Sequence, residues 1–450
     1  MKNKLWSDKN FNKKLLRLVL PMAFQQFMLA LVSACDALML GIIDQNSLSA
    51  VSLATQITFV YNLFLAAMTI GTSIIAAQYW GKGDRVSVEK ILGIVLRISG
   101  LVSMVFFLAA TIFPSFLMGI FTRDSILINY GADYLQIVGV TYLMCGISQI
   151  YLCIMKNSDH AMASMVISSI TVILNIVLNA VLIFGLCGMP EMGIKGAALA
   201  TTISRIVELI LVLLNSRRKG WIQIHFTYVR HPDRGLRKDF WQYTFPVLGN
   251  ELVWGVGFTM YSVIMGHLGT DAVAANSIAN IVKNLIACFC LGLGSGGGII
   301  VGNELGAARL EEAKEYGHKL CVMSIISGAI TGIFIVALTP LILKFCNLTP
   351  QANEYLKWML LICSYYMIGK AINGTTIAGI FCAGGDSKFG FLCDAVTMWV
   401  ITVPLSFIAA FVLKLPVIAV CFIVNLDEIV KLPAVYRHYK KYKWLKNLTK

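Results

Sequence analysis

Asp36 stands inside an apolar run, with Val32 and Leu40 one helical turn away on either side. It lies seven residues before Ile43, about 10 Å from the end of that run at the helical rise. A carboxylate in such a place can take up and release a proton, or lend its oxygens to a small hard cation such as Na⁺. Three more oxygen-bearing side chains reach the same level. Asn179 lies seven residues short of Leu186, again about 10 Å from a boundary. Asn175 is one turn below it on the same helix face. Thr201 is eight residues past Gly193, about 12 Å deep. The four form either an ion-coupling network or ordinary interhelical hydrogen bonds, and both readings are open.

A second set of charges falls near the middle of later apolar segments: Glu251, Lys283 and Lys370. A carboxylate with two amines is either a buried ion pair or a cavity charge that meets a substrate. Other charges have structural readings. Arg205 and Glu208 are an i,i+3 pair, Asp427 and Glu428 face Lys431 one turn on, Arg97 snorkels, and Asp394 is near enough to a loop to be wet.

Enzyme chemistry is not visible. The six histidines are isolated, with no HExxH and no GxSxG elbow. The 12 cysteines show no CxxC pair and no metal spacing, so they read as small packing residues. Cys187 and Cys346 alone lie near the outer face. The run from Gly292 to Gly297 fits GxGxxG but follows no strand, which leaves helix packing as its reading.

The elements that must hold these groups are membrane helices. The 450 residues are 58% hydrophobic and 13% charged, with a mean hydropathy of +0.75, a balance expected only of a polytopic membrane protein. Segments long enough to span occur at about 15–41, 48–79, 91–118, 130–155, 162–186, 193–215, 240–266, 272–303, 318–346, 355–382, 389–413 and 416–436. The expected fold is therefore all-α, with twelve transmembrane helices.

The net charge of +14 follows topology rather than nucleic-acid binding. With the N-terminus inside, 28 of the 37 basic residues fall in inner segments, 5 in outer ones and 4 within spans (Arg97, Arg205, Lys283 and Lys370). That asymmetry places both termini in the cytoplasm. The first apolar run is too long for a cleaved signal, so the first span itself inserts.

The chain also repeats. At an offset of 225, Pro21 falls on Pro246, Gly41 on Gly266, Gly71 on Gly296 and Gly81 on Gly306. An even number of crossings separates the copies, so the repeat is parallel. The expected organisation is a six-helix lobe over 1–215, a cytoplasmic linker over 216–239 and a second six-helix lobe over 240–450. Pro21 and Pro246 are expected to bend their helices. The buried charges do not repeat, since Asp36 falls on Tyr261 and Glu251 on Gln26.

In order and spacing these residues resemble the multidrug and toxic compound extrusion family. The resemblance rests on Pro21, Gln25, Asp36, Gly41 and the run Leu48 to Ala54, then Gly81-Lys82-Gly83-Asp84. It continues through Leu174 to Asn179, Gly193 to Thr201, the set Pro246, Glu251 and Gly266, and Gly302 to Ala307. It implies a multi-pass inner-membrane antiporter that expels organic, usually cationic and lipophilic, compounds for H⁺ or Na⁺ by alternating access. No cofactor, nucleic acid or second subunit is expected. Asp36 is then the coupling-ion residue, with Asn175 and Thr201 beside it, while Gln25 and Glu251 face the cavity. Two departures stand out: Asn179 where some members carry Asp, and Lys370 where members with a second-lobe Na⁺ site carry a carboxylate. The lysines leave an alternative open, a flippase for lipid-linked or anionic metabolites on the same architecture.

Overall fold

A computed structural model of the protein describes residues 9–43, 45–346 and 348–449, all in helices and their connections, with no strand among them. Eleven helices lie in the expected spans, and a short twelfth begins the last of them. They are α1 (Lys9–Ile43), α2 (Gln45–Lys82), α3 (Arg85–Ile112), α4 (Ser125–Asn157), α5 (Ala161–Phe184) and α6 (Gly193–Ser216). The second series is α7 (Arg234–Gly266), α8 (Thr270–Gly306), α9 (Leu310–Phe345), α10 (Pro350–Asn373), α11 (Ser387–Val412) and α12 (Val417–Val424). Ten of these, all but α10 and α12, are long and apolar enough to cross a membrane unaided. Lys2, Lys4 and Lys450, counted among the inner basic residues, lie outside the described residues.

The two exceptions have physical causes. α10 carries Glu354, Lys357 and Lys370, and after Asn373 it continues to Phe381 as wider π-type turns. The span expected at 416–436 is not one helix. It breaks after Val424, restarts over Asp427–Val430, and restarts again over Leu432–Tyr439. The Asn425 side chain turns back to donate to Cys421 O at 2.8 Å, and Pro433 supplies no N–H to the last segment. Likewise the span expected at 91–118 ends at Ile112, because Pro114 starts a separate short helix, Pro114–Gly119. Pro21 and Pro246 both lie inside continuous helices.

Packing divides the chain into two compact units. One comprises Met28–Ala76 and Asp84–Gln242 and is called here the Asp36 unit; the other comprises Met1–Phe27, Ala77–Gly83 and Tyr243–Lys450 and is called the Lys370 unit. The ends Lys9–Phe27 of α1 and Ala77–Gly83 of α2 thus pack with second-half helices, which the repeat alone does not announce.

Within the Asp36 unit the basic 216–239 segment is folded down rather than free. Its Ile222 is buried and accepts from Tyr151 Oη at 2.9 Å, and its His225 meets Glu89 at 3.3 Å. Within the Lys370 unit the run Gly292 to Gly298 is a crossing face. A Cβ on Gly292 would press the Ala23 backbone, one on Gly296 the Val19 side chain, and one on Gly294 the Gly374 carbonyl. Small residues let these helix backbones approach closely, as the packing reading expected.

Lys14 adds a 2.6 Å ion pair to the buried Glu304, which Arg309 also holds at 2.8 Å. The C-terminal tail closes the same end. Trp444 is fully buried, and Gln78 donates to Ala383 O at 2.7 Å and Lys446 O at 3.1 Å while accepting from Leu448 N at 2.6 Å.

Candidate ion-binding site

Three helices of the Asp36 unit converge on one polar cluster. α1 contributes Asp36, α5 contributes Asn175 and Asn179 one turn apart, and α6 contributes Thr201. Asn179 Nδ2 donates to Asp36 Oδ1 at 2.6 Å and to Asn175 Oδ1 at 3.2 Å. Asn175 Nδ2 in turn donates to Thr201 Oγ1 at 3.4 Å, whose own proton goes to Ala197 O at 3.0 Å. The structure therefore brings together all four residues expected at this level.

The donors of Asn179 are spent, and its acceptor is not. Both amide protons of Asn179 are engaged, while its buried Oδ1 has no hydrogen-bond partner among the described residues. A buried acceptor without a donor costs free energy, about 1–3 kcal/mol. The cluster opens on a cavity of about 290 Å³ whose walls include Ser33, Thr55, Tyr134 and Thr201. An oxygen-rich pocket with a carboxylate and an acceptor to spare suits a proton or a hard monovalent cation. Arg205, one turn from Thr201, pairs with the buried Glu208 at 2.8 Å.

The Lys370 unit distributes its charges differently from expectation. Lys370 Nζ meets Glu428 at 3.3 Å, so its carboxylate partner is not Glu251. Glu428 also accepts from Asn373 at 2.8 Å and faces Lys431 at 3.4 Å, and Lys431 reaches Asp394 at 2.7 Å. Asp394 and Lys431, expected to be wet or in an inner segment, are 8% and 3% exposed. Lys370, Glu428, Lys431 and Asp394 form one chain of alternating charge, and the break in α12 makes room for it. Asp427 is buried beside this chain, and its Oδ1 has no hydrogen-bond partner among the described residues. The sequence signal for this network was the polar stretch Asn425 to Glu428 inside an apolar run, and Asn373 three residues after Lys370.

Glu251 and Lys283 have no ion-pair partner within reach among the described residues. Lys283 instead lies over the Tyr366 ring, 4.9 Å from its centre. A cation–π contact contributes about 0.5–2 kcal/mol, less than the roughly 2.5–3.5 kcal/mol that an ammonium costs at midspan. Gln25 is buried in the same unit. Among the described residues no three His, Cys, Asp or Glu side chains gather to hold a metal ion, and Cys187 and Cys346 are free thiols.

Comparison with known proteins places this architecture. "Uncharacterized transporter YisQ" of Bacillus subtilis (strain 168) is 22% identical over 443 residues, 98% of this chain and 96% of its own. "Probable multidrug resistance protein NorM" of Thermotoga maritima is 23% identical over 397 residues, 88% of this chain and 85% of its own. A solved MOP superfamily transporter from Pyrococcus furiosus, described as having a binding pocket of reverse polarity that suggests a different function, superposes with a TM-score of 0.86. It is 17% identical and 96% of each chain is covered, which shows the expected two-lobe helical fold. The MatE family model matches this chain twice, over residues 21–181 and 246–408. The two matches start 225 residues apart, the offset of the internal repeat. With both halves matched, the chain belongs to the MatE family, the multidrug and toxic compound extrusion transporters, and is a multi-pass membrane transporter rather than an enzyme.

Proposed function

We propose that the protein exports organic compounds in exchange for H⁺ or Na⁺, with Asp36 as the coupling-ion residue and Asn175, Asn179 and Thr201 as its supports. The observation that carries this reading is the bond from Asn179 to Asp36 at 2.6 Å on the wall of an oxygen-rich cavity. Loading the carboxylate with a proton or a cation changes the charge that Asn179 must satisfy. The helices that supply the site, α1, α5 and α6, then favour a different packing, and alternating access follows from the two packings. Both termini are proposed to lie on the cytoplasmic side, from the distribution of Lys and Arg.

Inverted membrane vesicles given a fluorescent substrate panel in the medium test the proposal, with the pH and Na⁺ gradients collapsed one at a time. Wild-type uptake is expected to stop when one of the two is collapsed. Asp36→Asn is expected to abolish the gradient-driven part. Unchanged gradient-driven uptake in Asp36→Asn would sink the assignment.

A further inference from the structure

Lys283 is one of two midspan charges, with Glu251, that the coupling site leaves unused. Its ammonium is held against the Tyr366 ring at 4.9 Å, with no carboxylate in reach among the described residues. Lys370 follows Tyr366 by one turn on α10, so both side chains leave the same helix face. There Lys370 lies 5.7 Å from the centre of the Trp254 ring and is neutralised by Glu428 at 3.3 Å. The two ammonium groups therefore differ in kind: one has a counter-charge built into the protein and the other has only a ring. Lys283, Tyr366, Lys370 and Trp254 are all partly exposed.

We propose that Lys283 and Tyr366, with Trp254 beside Lys370, form a subsite for the anionic group of an amphipathic compound: a carboxylate, sulfonate or phosphate attached to an apolar or aromatic body. A ring attracts an ammonium but leaves its charge in place, whereas a ligand anion cancels it. The two rings offer aromatic surface to the apolar body of the ligand. Glu428 keeps Lys370 occupied, which makes Lys283 the first point of anion contact. The proposal rests on the transport reading and narrows it to compounds that carry an anionic group.

The test uses the full-length protein in phosphatidylcholine nanodiscs and two probes of equal apolar body, 1-pyrenebutyrate and a pyrenebutyl-trimethylammonium salt. Binding is read by energy transfer from tryptophan to pyrene, against empty discs. The wild type is expected to prefer the carboxylate probe. Lys283→Gln should weaken that probe about ten-fold, Lys283→Arg should restore it, and the ammonium probe should bind Lys283→Gln no more weakly than wild type. Equal affinity of the wild type for both probes overturns the proposal without recourse to any variant, as does undiminished carboxylate binding in Lys283→Gln. Binding needs no gradient, so Asp36→Asn should retain the carboxylate preference, and failure of ion coupling is read separately. Adding phosphatidylglycerol to the discs separates two supporting outcomes: competition in wild type but not in Lys283→Gln assigns the anion to a lipid headgroup, and lack of competition assigns it to a soluble compound.

Discussion

Gly81 is seated on Asn303, and Gly306, its partner in the repeat, is seated on Gln78. Asn303 and Gln78 are themselves 225 residues apart, so the contact is reciprocal, as in a two-fold interface between equivalent surfaces. It joins the ends of α2 and α8 within the Lys370 unit. A parallel duplication brings equivalent helix ends together in this way when its axis passes between them.

Any Cβ at either glycine would overlap the backbone of the residue opposite, and backbone cannot turn aside as a side chain can. Gly81→Ala and Gly306→Ala are therefore expected to destabilise by a similar amount, about 1–3 kcal/mol each. Because both act on one contact, the double variant should lose less than the total of the two. Thermal unfolding of the three variants in one detergent checks both statements. A neutral Gly306→Ala would mean that the helix ends do not meet.

The C-terminal tail sits on the same helix ends. Trp444 is wholly buried, stacked 5.7 Å from Tyr439 and pressed against Gly317, while its backbone lies on Gly384. Trp444→Ala is expected to cost about 3–5 kcal/mol and to release residues 444–449 to proteolysis. Full resistance of the tail in Trp444→Ala, with an unchanged unfolding midpoint, would refute this role.

How far the sequence carries the fold can be traced through particular residues. Apolar length led to the membrane helices, because an apolar run of about 20 residues satisfies all its backbone groups within one helix. Asp36, Asn175, Asn179 and Thr201 were legible as a group since each lies at a depth countable along a helix. Lys370 and Glu428 were not, because their meeting depends on how α10 packs against the break after Val424, and no periodicity encodes that break. Asp394 was misread for a related reason: nearness to a loop in sequence says nothing about the Lys431 that reaches it from 37 residues on. The offset of 225 was visible, but the seating of Gly81 on Asn303 required the helix ends in space.

Asp233 gives a pH dependence outside the membrane. Its carboxylate accepts from the amides of Leu236 at 3.2 Å and Gly235 at 2.9 Å, capping α7, and meets Lys90 at 3.5 Å. These contacts, the Leu236 amide foremost, hold its carboxyl below the usual carboxylate range. A lowered folded value means that the cap contributes fully above the ordinary carboxylate pKa and fades as pH falls through the lowered one. Asp233→Ala should lose about 1 kcal/mol at pH 7, and the gap to wild type should close on acidification. A gap that persists in strong acid would show that the carboxylate charge is not what caps the helix.

The charge chain across the broken α12 makes an ordering prediction. Removing Lys370 leaves Glu428 held by Asn373 and Lys431, so the buried carboxylate keeps partners. Removing the charge of Glu428 leaves Lys370 with no carboxylate and Lys431 with Asp394 alone. A buried charge deprived of its partner costs about 3–5 kcal/mol. Glu428→Gln is therefore expected to destabilise by about that amount, and Lys370→Gln by distinctly less. In Lys370→Gln/Glu428→Gln the stranded ammonium is gone, so stability should recover part of the loss seen in Glu428→Gln alone. Unfolding midpoints of the three variants, taken in one detergent at pH 7, decide the order. If Lys370→Gln proved the more damaging single change, the lysine would be satisfying a group other than Glu428, and Glu251 on α7 would be the first to examine.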